Sequence, residues 1–298
     1  MMAKKISLHV GVDKYDTGAF GRGFNYRLEG CVADAKAMNV IAERAGFVPE
    51  PPLLDCRVDE FKSALAETVA KIEKGDLFLF TFAGHGAKCE STSIKIKSDG
   101  KYEAICLRDG YCWDLEVGFL LNKVPAEATI ITIYDCCFGN DPVKLNTGGK
   151  PVPSLKSALR KFLGFGPRQR YLRGDGGTDH EHDKLQEMIV RRTEIRERNQ
   201  LKITAPGYHF AACSREEVAK EEHYAGAGTR GRFSYAFQRA YNDGGNPTYS
   251  EMMGRINAYM STYNDQHPCL KPLFSNNTIG SSNFLFEPSP ENPGQVAD

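Results

Sequence analysis

The sequence predicts an α/β protein whose central sheet is mostly parallel and covered by helices on both faces. Two apolar runs, residues 77–82 and 129–134, are rich in β-branched and aromatic residues and are bounded by glycine or charge. Such runs are typical of strands buried on both faces. Segments with helical periodicity alternate with strand-like runs along the chain, and this alternation favours parallel strands joined by helices.

The first half of the chain predicts the order strand, helix, helix, strand. A strand at residues 6–11 precedes a glycine-rich loop, and the apolar positions of residues 31–45 recur with helical spacing. A second helix follows Asp59 and ends at Gly75, where glycine favours a helix stop. The buried strand at residues 77–82 comes next.

The second half continues the alternation. Residues 87–112 are polar and mixed, which predicts a loop with a short hairpin, and a helix is expected at residues 113–121. After the strand at 129–134, residues 208–213 form another strand-like run. Two amphipathic helices are predicted at residues 232–241 and 248–263.

The composition indicates a chain of the reducing cytosol. Formal net charge is +0 over 298 residues, so the protein as a whole is not a polyanion binder. Nine cysteines without short-spaced Cys/His ligand patterns argue against a disulfide framework or a structural zinc site. The apolar stretch at the N-terminus is too short for a signal peptide, so we expect a cytoplasmic protein with no membrane partner.

Reactive side chains follow the two most apolar strands. His85 lies just beyond the first and Cys137 just beyond the second, 137 − 85 = 52 residues later. Ligand sites in open α/β sheets lie at the carboxyl ends of strands, so neighbouring strands would bring the two residues together. Because side chains alternate along a strand, Asp135 and Cys137 share one face, which favours Cys137 over Cys136 as a nucleophile.

Two other interpretations of these cysteines remain open from the residues alone. Free cysteine is among the most buried residue types, so both could be ordinary core thiols. A thiol redox pair of Cys136 and Cys137 is a further alternative, although adjacent cysteines seldom pair without strain.

Several short blocks carry a further signal: residues 11–15, 28–35, 83–86, 135–137, 211–213 and 231–237. These blocks resemble the caspase-like cysteine peptidases, and within them the metacaspases and their prokaryotic relatives, and they keep the family's order from residue 6 to about residue 285. The resemblance implies a caspase-like fold, a catalytic dyad of His85 and Cys137, and an oxyanion hole formed by the backbone N–H groups of Gly86 and Cys137. Phe138 and Gly139 stand where the family usually has His-Ser-Gly.

The resemblance also implies a specificity pocket. Asp34 and Asp135 match two acids that line it, Cys31 lies nearby, and Ala83 replaces a common serine. Two carboxylates suit a guanidinium or ammonium group, so protein substrates cut after Arg or Lys are expected. Asp34 also fits a first-turn carboxylate that stabilises a helix N-terminus.

The same resemblance divides one caspase-like domain into parts. A large-subunit-like part would span residues 1–141 and a small-subunit-like part residues 204–287, separated by a basic insert at residues 142–203. The tail at residues 288–298, rich in Pro, Gly and acidic residues, is expected to be disordered.

The basic insert has three interpretations: a solvated surface, a nucleic-acid site, or a processing segment. Base-stacking aromatics are sparse there, so nucleic acid is not expected. We favour processing, by the protein itself or by an upstream activating protease. The candidate positions are Arg160, Lys161, Arg168, Arg170, Arg173, Arg191 and Arg192.

No required cofactor is expected. Some metacaspases need calcium, and the acids that could serve here are Asp109, Asp114, Glu116 and Asp141, fewer than hard cations prefer. The leading prediction is a cysteine endopeptidase regulated by processing. The alternative is a non-catalytic caspase-fold interaction module that recruits protein or nucleic acid through the insert.

Overall fold

The computed structural model describes most of the chain outside the insert and the tail. The described residues are 3–16, 18–20, 27–48, 50–90, 101–137, 168–169, 204–214, 217–273 and 279–287. Only residues 168–169 of the expected insert are among them, and the expected disordered tail lies outside them. No helix in these ranges is both long and apolar enough to cross a membrane.

Strands and helices alternate along the chain. The strands are β1 Lys5–Gly11, β2 Leu53–Leu54, β3 Leu77–Ala83, β4 Gly86–Glu90, β5 Lys101–Leu107, β6 Gly110–Trp113, β7 Thr129–Asp135, β8 Arg168–Gln169, β9 Gly207–Ala211, β10 Lys220–Tyr224, β11 Gly228–Gly231 and β12 Cys269–Pro272. The helices are α1 Cys31–Arg44, α2 Val58–Ala70, α3 Asp114–Leu121, α4 Arg232–Asn242 and α5 Tyr249–Met260.

The central sheet is mostly parallel, as the sequence predicts. Its six described strands lie in the order β12-β9-β7-β3-β1-β2. Each neighbouring pair from β9 to β2 is parallel, and β12 pairs antiparallel with β9 at one edge. The three central strands β7, β3 and β1 carry the longest apolar runs because each is covered on both faces.

Two hydrophobic clusters lie on opposite faces of this sheet. One joins Phe61 of α2 and Val117 of α3 to Phe78, Phe80 and Phe82 of β3. The other joins side chains of α1, α4 and α5, such as Met38, Phe237 and Ile256, to Leu79 and Ile131. Successive strand residues point to opposite faces, so β3 supplies both cores, and the predicted two-sided α/β fold is confirmed.

Two small antiparallel sheets supplement the central one. Strands β4, β5 and β6 form the first, where the sequence predicted only a loop with a short hairpin. Strands β11, β10 and β8 form the second. Both sheets lie beyond the carboxyl ends of β3 and β9, at the edge where a ligand site is expected.

Two histidines are buried inside the central sheet as neutral rings. His9 of β1 hydrogen-bonds Thr81 at 2.9 Å through Nδ1, and His209 of β9 hydrogen-bonds Thr132 at 2.7 Å. Burial lowers the pKa of each imidazole from 6.5 to about 3, because the charged form would lose its hydration. In the unfolded chain both rings take up a proton below about pH 6.5.

The buried histidines should make stability depend on pH. Their folded pKa lies below the unfolded one, so the stability they confer is complete above pH 6.5 and is lost as pH falls toward 3. Going from pH 7 to pH 5 should cost about 2 kcal/mol for each histidine. Urea unfolding at the two pH values should show a smaller difference for His209→Gln. The exposed His223→Gln is the control, and an equal pH dependence in His209→Gln would contradict the assignment.

Candidate active site

The pairing of β3 with β7 brings the two reactive residues to one edge of the sheet. Ala83 at the end of β3 is in register with Asp135 at the end of β7, and His85 and Cys137 each follow two residues later. The N–H of Gly84 donates to the Asp135 carbonyl at 3.3 Å, which carries the pairing past the last registered residues.

Gly86 makes the closest approach between the two segments. A Cβ atom at this position would lie 2.0 Å from the carbonyl oxygen of Cys137, so only glycine fits without a shift of the backbone. The close approach fixes the backbone of the predicted oxyanion residue against that of the predicted nucleophile.

The backbone of His85 is held from two sides. Its N–H donates to the hydroxyl of Tyr15 at 2.9 Å, and its carbonyl accepts from the N–H of Cys106 at 2.9 Å. The Tyr15 hydroxyl donates in turn to the Val12 carbonyl at 3.0 Å, and its ring lies 5.0 Å from the imidazole, centroid to centroid. No local pattern in the sequence indicates that Tyr15 binds His85, because the two residues are 70 positions apart.

The Cys137 side chain is buried in this conformation. Its side chain packs in the cluster with Ile131 and Ile133, whereas Tyr134 and Cys136 lie in the opposite cluster. This is the alternation that the strand pattern predicts. The sulfur accepts the N–H of Ala219 at 3.2 Å, and burial raises the pKa of the thiol well above its usual value.

A buried glutamine holds the segment that covers Cys137. The Gln266 side chain accepts the N–H of Lys220 at 3.2 Å and donates to the carbonyl of Ala212 at 3.1 Å. Lys220 follows Ala219 directly, so these bonds tie the covering segment to the end of β9. Gln266 lies 46 residues from Lys220 in the chain, so no local pattern in the sequence indicates this contact.

Both predicted pocket acids bind the chain around the start of α4. Asp34 is fully buried in α1, accepts the guanidinium Nε–H of Arg230 at 2.6 Å and accepts the N–H of Gly231 at 2.9 Å. Asp135 accepts the N–H of Ser234, in the first turn of α4, at 2.8 Å. The two carboxylates therefore join β7 and α1 to the β11–α4 junction.

Two further carboxylates bind the N-terminal end of α1. Asp13 accepts the N–H of Cys31 at 2.8 Å, and Glu221 of β10 accepts the N–H of Gly30 at 3.0 Å. Ligand atoms of Asp13, Cys31 and Glu221 lie within 4.8 Å of one another. The free N–H groups and dipole of the helix N-terminus account for both acids without a metal ion.

The acids considered for calcium bond separately to protein groups. Asp109 accepts the N–H of Val58 at 2.8 Å, and Glu116 accepts the N–H of Trp113 at 2.9 Å and pairs with Lys62 at 2.7 Å. Asp114 accepts the N–H of Glu103 at 3.4 Å. Within the described ranges these acids form no common ligand group, and Asp141 lies outside them. The three described acids of this set therefore do not form a calcium site.

The remaining predicted site residues are placed as follows. Cys31 begins α1 and is buried, and Ala83 is buried at the end of β3. Arg168 lies in β8, whereas the other processing candidates and residues Phe138 and Gly139 fall outside the described residues.

His85 and Cys137 lie beyond neighbouring strands of a parallel sheet, and Asp135, beside the cysteine, binds the first turn of α4. This arrangement is typical of a caspase-like α/β protein. The sequence model of the caspase domain matches residues 4–277, and the chain belongs to this family. Metacaspase-2 and metacaspase-3 of Trypanosoma brucei brucei are each 25% identical over 150 residues, 44% of this chain. The match spans about two fifths of those relatives, 40% and 39%.

Solved structures show the same fold. A crystal structure of a Geobacter sulfurreducens protein superposes with a TM-score of 0.71 at 21% identity, covering 95% of this chain and 98% of that one. Caspase-1 from Spodoptera frugiperda gives a TM-score of 0.50 at 9% identity, with 90% and 86% covered. At these identities the likeness concerns the fold alone.

The buried thiol should react slowly until its cover is loosened. Replacing Gln266 by Ala removes two hydrogen bonds from the segment over Cys137, so alkylation of Cys137 by iodoacetamide should accelerate about tenfold or more. Mass spectrometry of the Cys137 peptide measures this rate. Gln238→Ala, at a half-buried position of α4, is the control. Wild-type labelling as fast as that of a free thiol would show that the cover does not protect Cys137.

Proposed function

We propose that the protein is a cysteine endopeptidase that cleaves protein substrates after Arg or Lys. The observation that carries this proposal is the placement of His85 and Cys137 beyond the paired ends of β3 and β7, with Gly86 against the Cys137 carbonyl. The Cys137 thiolate attacks the substrate carbonyl, and protonated His85 donates a proton to the leaving amine. Water then hydrolyses the thioester, with His85 as the base.

The oxyanion formed in this reaction needs preorganised donors. The N–H groups of Gly86 and Cys137 are candidates, because the close approach of their backbones holds them in one place. Loss of one such donor typically costs about 10² to 10³ in kcat.

A change of conformation must precede attack. Only the thiolate is nucleophilic, and burial holds the pKa of Cys137 well above its usual value here. Movement of the segment around Ala219 would expose the sulfur and remove the cause of this shift. We therefore propose that the described conformation is an inactive one.

The charges at the site support basic specificity. Asp34 and Asp135 are acids of α1 and β7 that bind the same junction. Asp135 would repel a substrate carboxylate directly, and Asp34 would do so once its partner Arg230 has moved away. A guanidinium or ammonium group offers the opposite charge and several donors.

Processing within the insert is supported by the pairing of β8. Strand β8 lies antiparallel to β10, with Arg168 opposite Glu221 and Gln169 opposite Lys220. Ala219 directly precedes β10, and its N–H donates to the Cys137 sulfur. Arg170 follows Gln169 in the sequence, so we propose the bond between Arg170 and Tyr171 as the processing site.

Peptide substrates test the proposed activity. Peptides with Arg or Lys before a fluorophore should be cleaved by the wild type, and Cys137→Ala or His85→Ala should reduce kcat by about 10³ or more. Asp135→Asn should weaken cleavage after Arg with little change in protein fold, which circular dichroism can check. Peptides ending in Asp are the control. Preferred cleavage after Asp would contradict the pocket, and full activity of Cys137→Ala would contradict the nucleophile.

Fragment mapping tests the processing site. During incubation the wild type should yield a C-terminal fragment that begins at Tyr171, identified by N-terminal sequencing. Arg170→Gln should abolish that fragment, whereas Arg191→Gln with Arg192→Gln serves as the matched control and should retain it. Cys137→Ala distinguishes self-processing from cleavage by another protease. Wild-type protein that is active yet remains full length would contradict the proposal.

A further inference from the structure

We propose that Arg230 is an intramolecular occupant of the specificity pocket, which a basic substrate side chain must displace from Asp34. This inference rests on the proposed function, because it takes Asp34 as the acid that binds the substrate. It adds a residue that sets how strongly the enzyme binds basic substrates.

The contact reproduces the one expected from a substrate. Arg230 carries the guanidinium group that the pocket is proposed to accept, and its Nε lies 2.6 Å from Asp34 Oδ1. The side chains of Arg230 and Asp34 are 7% and 0% exposed. A second guanidinium cannot form the same ion pair while Arg230 remains, so substrate and Arg230 compete for one carboxylate.

The backbone places Arg230 at this position. Strand β11 pairs with β10 so that Gly231 is opposite Glu221, and Glu221 is bound to the N–H of Gly30. A Cβ at Gly30 would lie 2.9 Å from the Cα of Arg230, so glycine permits β11 to lie directly against the start of α1. The turn into α1 therefore brings Arg230 within reach of Asp34.

Arg230 does not use all its hydrogen-bond donors in the pocket, so its replacement by a substrate side chain is feasible. Nη2 of Arg230 is buried and has no hydrogen-bond partner among the described residues. Burying a donor without a partner is unfavourable, and solvent would supply the missing bond if the side chain moved out. Asp34 would keep the N–H of Gly231, so the carboxylate stays in place for an incoming guanidinium.

Arg232 shows what a fully bound arginine of this region looks like. It pairs with Glu222 at 3.2 Å and Asp265 at 3.1 Å, and its guanidinium carbon lies 4.0 Å from the centroid of the Tyr263 ring. These partners bind the Arg232 guanidinium without any contact to Asp34. Arg232 is therefore a matched control, two residues from Arg230 and similarly buried.

Competition of this kind has a measurable size. When the binding-competent state is a fraction of the population, the apparent Kd rises by the inverse of that fraction. A pocket free of Arg230 one tenth of the time would bind a basic ligand about tenfold more weakly than an open one. Removing the guanidinium of Arg230 should therefore strengthen ligand binding about tenfold.

Ligand binding tests the inference without requiring catalysis. Fluorescence titration with p-aminobenzamidine, a small cationic amidine, is done on full-length Cys137→Ala protein and on the same protein with Arg230→Gln, Arg230→Lys or Arg232→Gln. Arg230→Gln should lower Kd about tenfold or more, Arg232→Gln should leave it unchanged, and Arg230→Lys should keep most of the competition. Adding Asp34→Asn to Arg230→Gln should reverse the gain.

Peptide kinetics separate this inference from the proposed peptidase activity. In the active enzyme, Arg230→Gln should lower KM for Arg peptides while kcat changes little. Cleavage after Arg with an unchanged KM, or equal amidine binding in Arg230→Gln and its parent, would overturn the inference and leave the peptidase proposal standing. Tighter amidine binding without cleavage by any variant would support the inference and overturn the peptidase. Cleavage after Asp that is lost in Arg230→Gln would also overturn the inference. In that case Arg230 would bind the acidic side chain of the substrate and would not compete with a basic one.

Discussion

The in-register pairing of β3 with β7 is the constraint on which the site depends. Because Ala83 lies opposite Asp135, the residues that leave the two strands stay adjacent, and Gly86 reaches the carbonyl of Cys137. A shift by one residue would turn every side chain of one strand to the opposite face. It would move Phe78, Phe80 and Phe82 out of their cluster, so the packing that stabilises the sheet also fixes the geometry of the proposed dyad.

Buried charges join the parts of the domain that carry the site. Asp34 and Asp135, on α1 and β7, bind the junction of β11 and α4, and Glu221 binds the turn before α1. Removing one partner of a buried charge pair leaves the other uncompensated, typically at a cost of about 3–5 kcal/mol. The same carboxylates thus hold the pieces together and are the proposed readers of a basic side chain. This double use gives a physical reason for Asp34, the proposed pocket acid, to have an arginine of the same chain as its partner.

Burial would keep the proposed nucleophile, Cys137, unreactive in this conformation. The Cys137 sulfur is covered by Ala219, and Gln266 fastens the covering segment to the end of β9. Strand β8 of the insert pairs with the same β10 segment. The β10–β11 hairpin would then control substrate access, processing of the insert and formation of the thiolate. Strand β10 contacts β8, and strand β11 carries Arg230, which would be displaced from Asp34.

Local patterns in the sequence determined the α/β class, the order of the main strands and helices, and the alternation that puts Asp135 and Cys137 on one face. These features follow from hydrophobic period and side-chain direction, which are properties of neighbouring residues. No local pattern indicates the antiparallel sheet of β4, β5 and β6, because its strands mix polar and apolar residues without a clear period. Only the tertiary structure decided the contacts of Tyr15 with His85, of Gln266 with Lys220 and of Arg230 with Asp34. The last pair is 196 residues apart, and such contacts arise from how strands and helices pack, which no local pattern encodes.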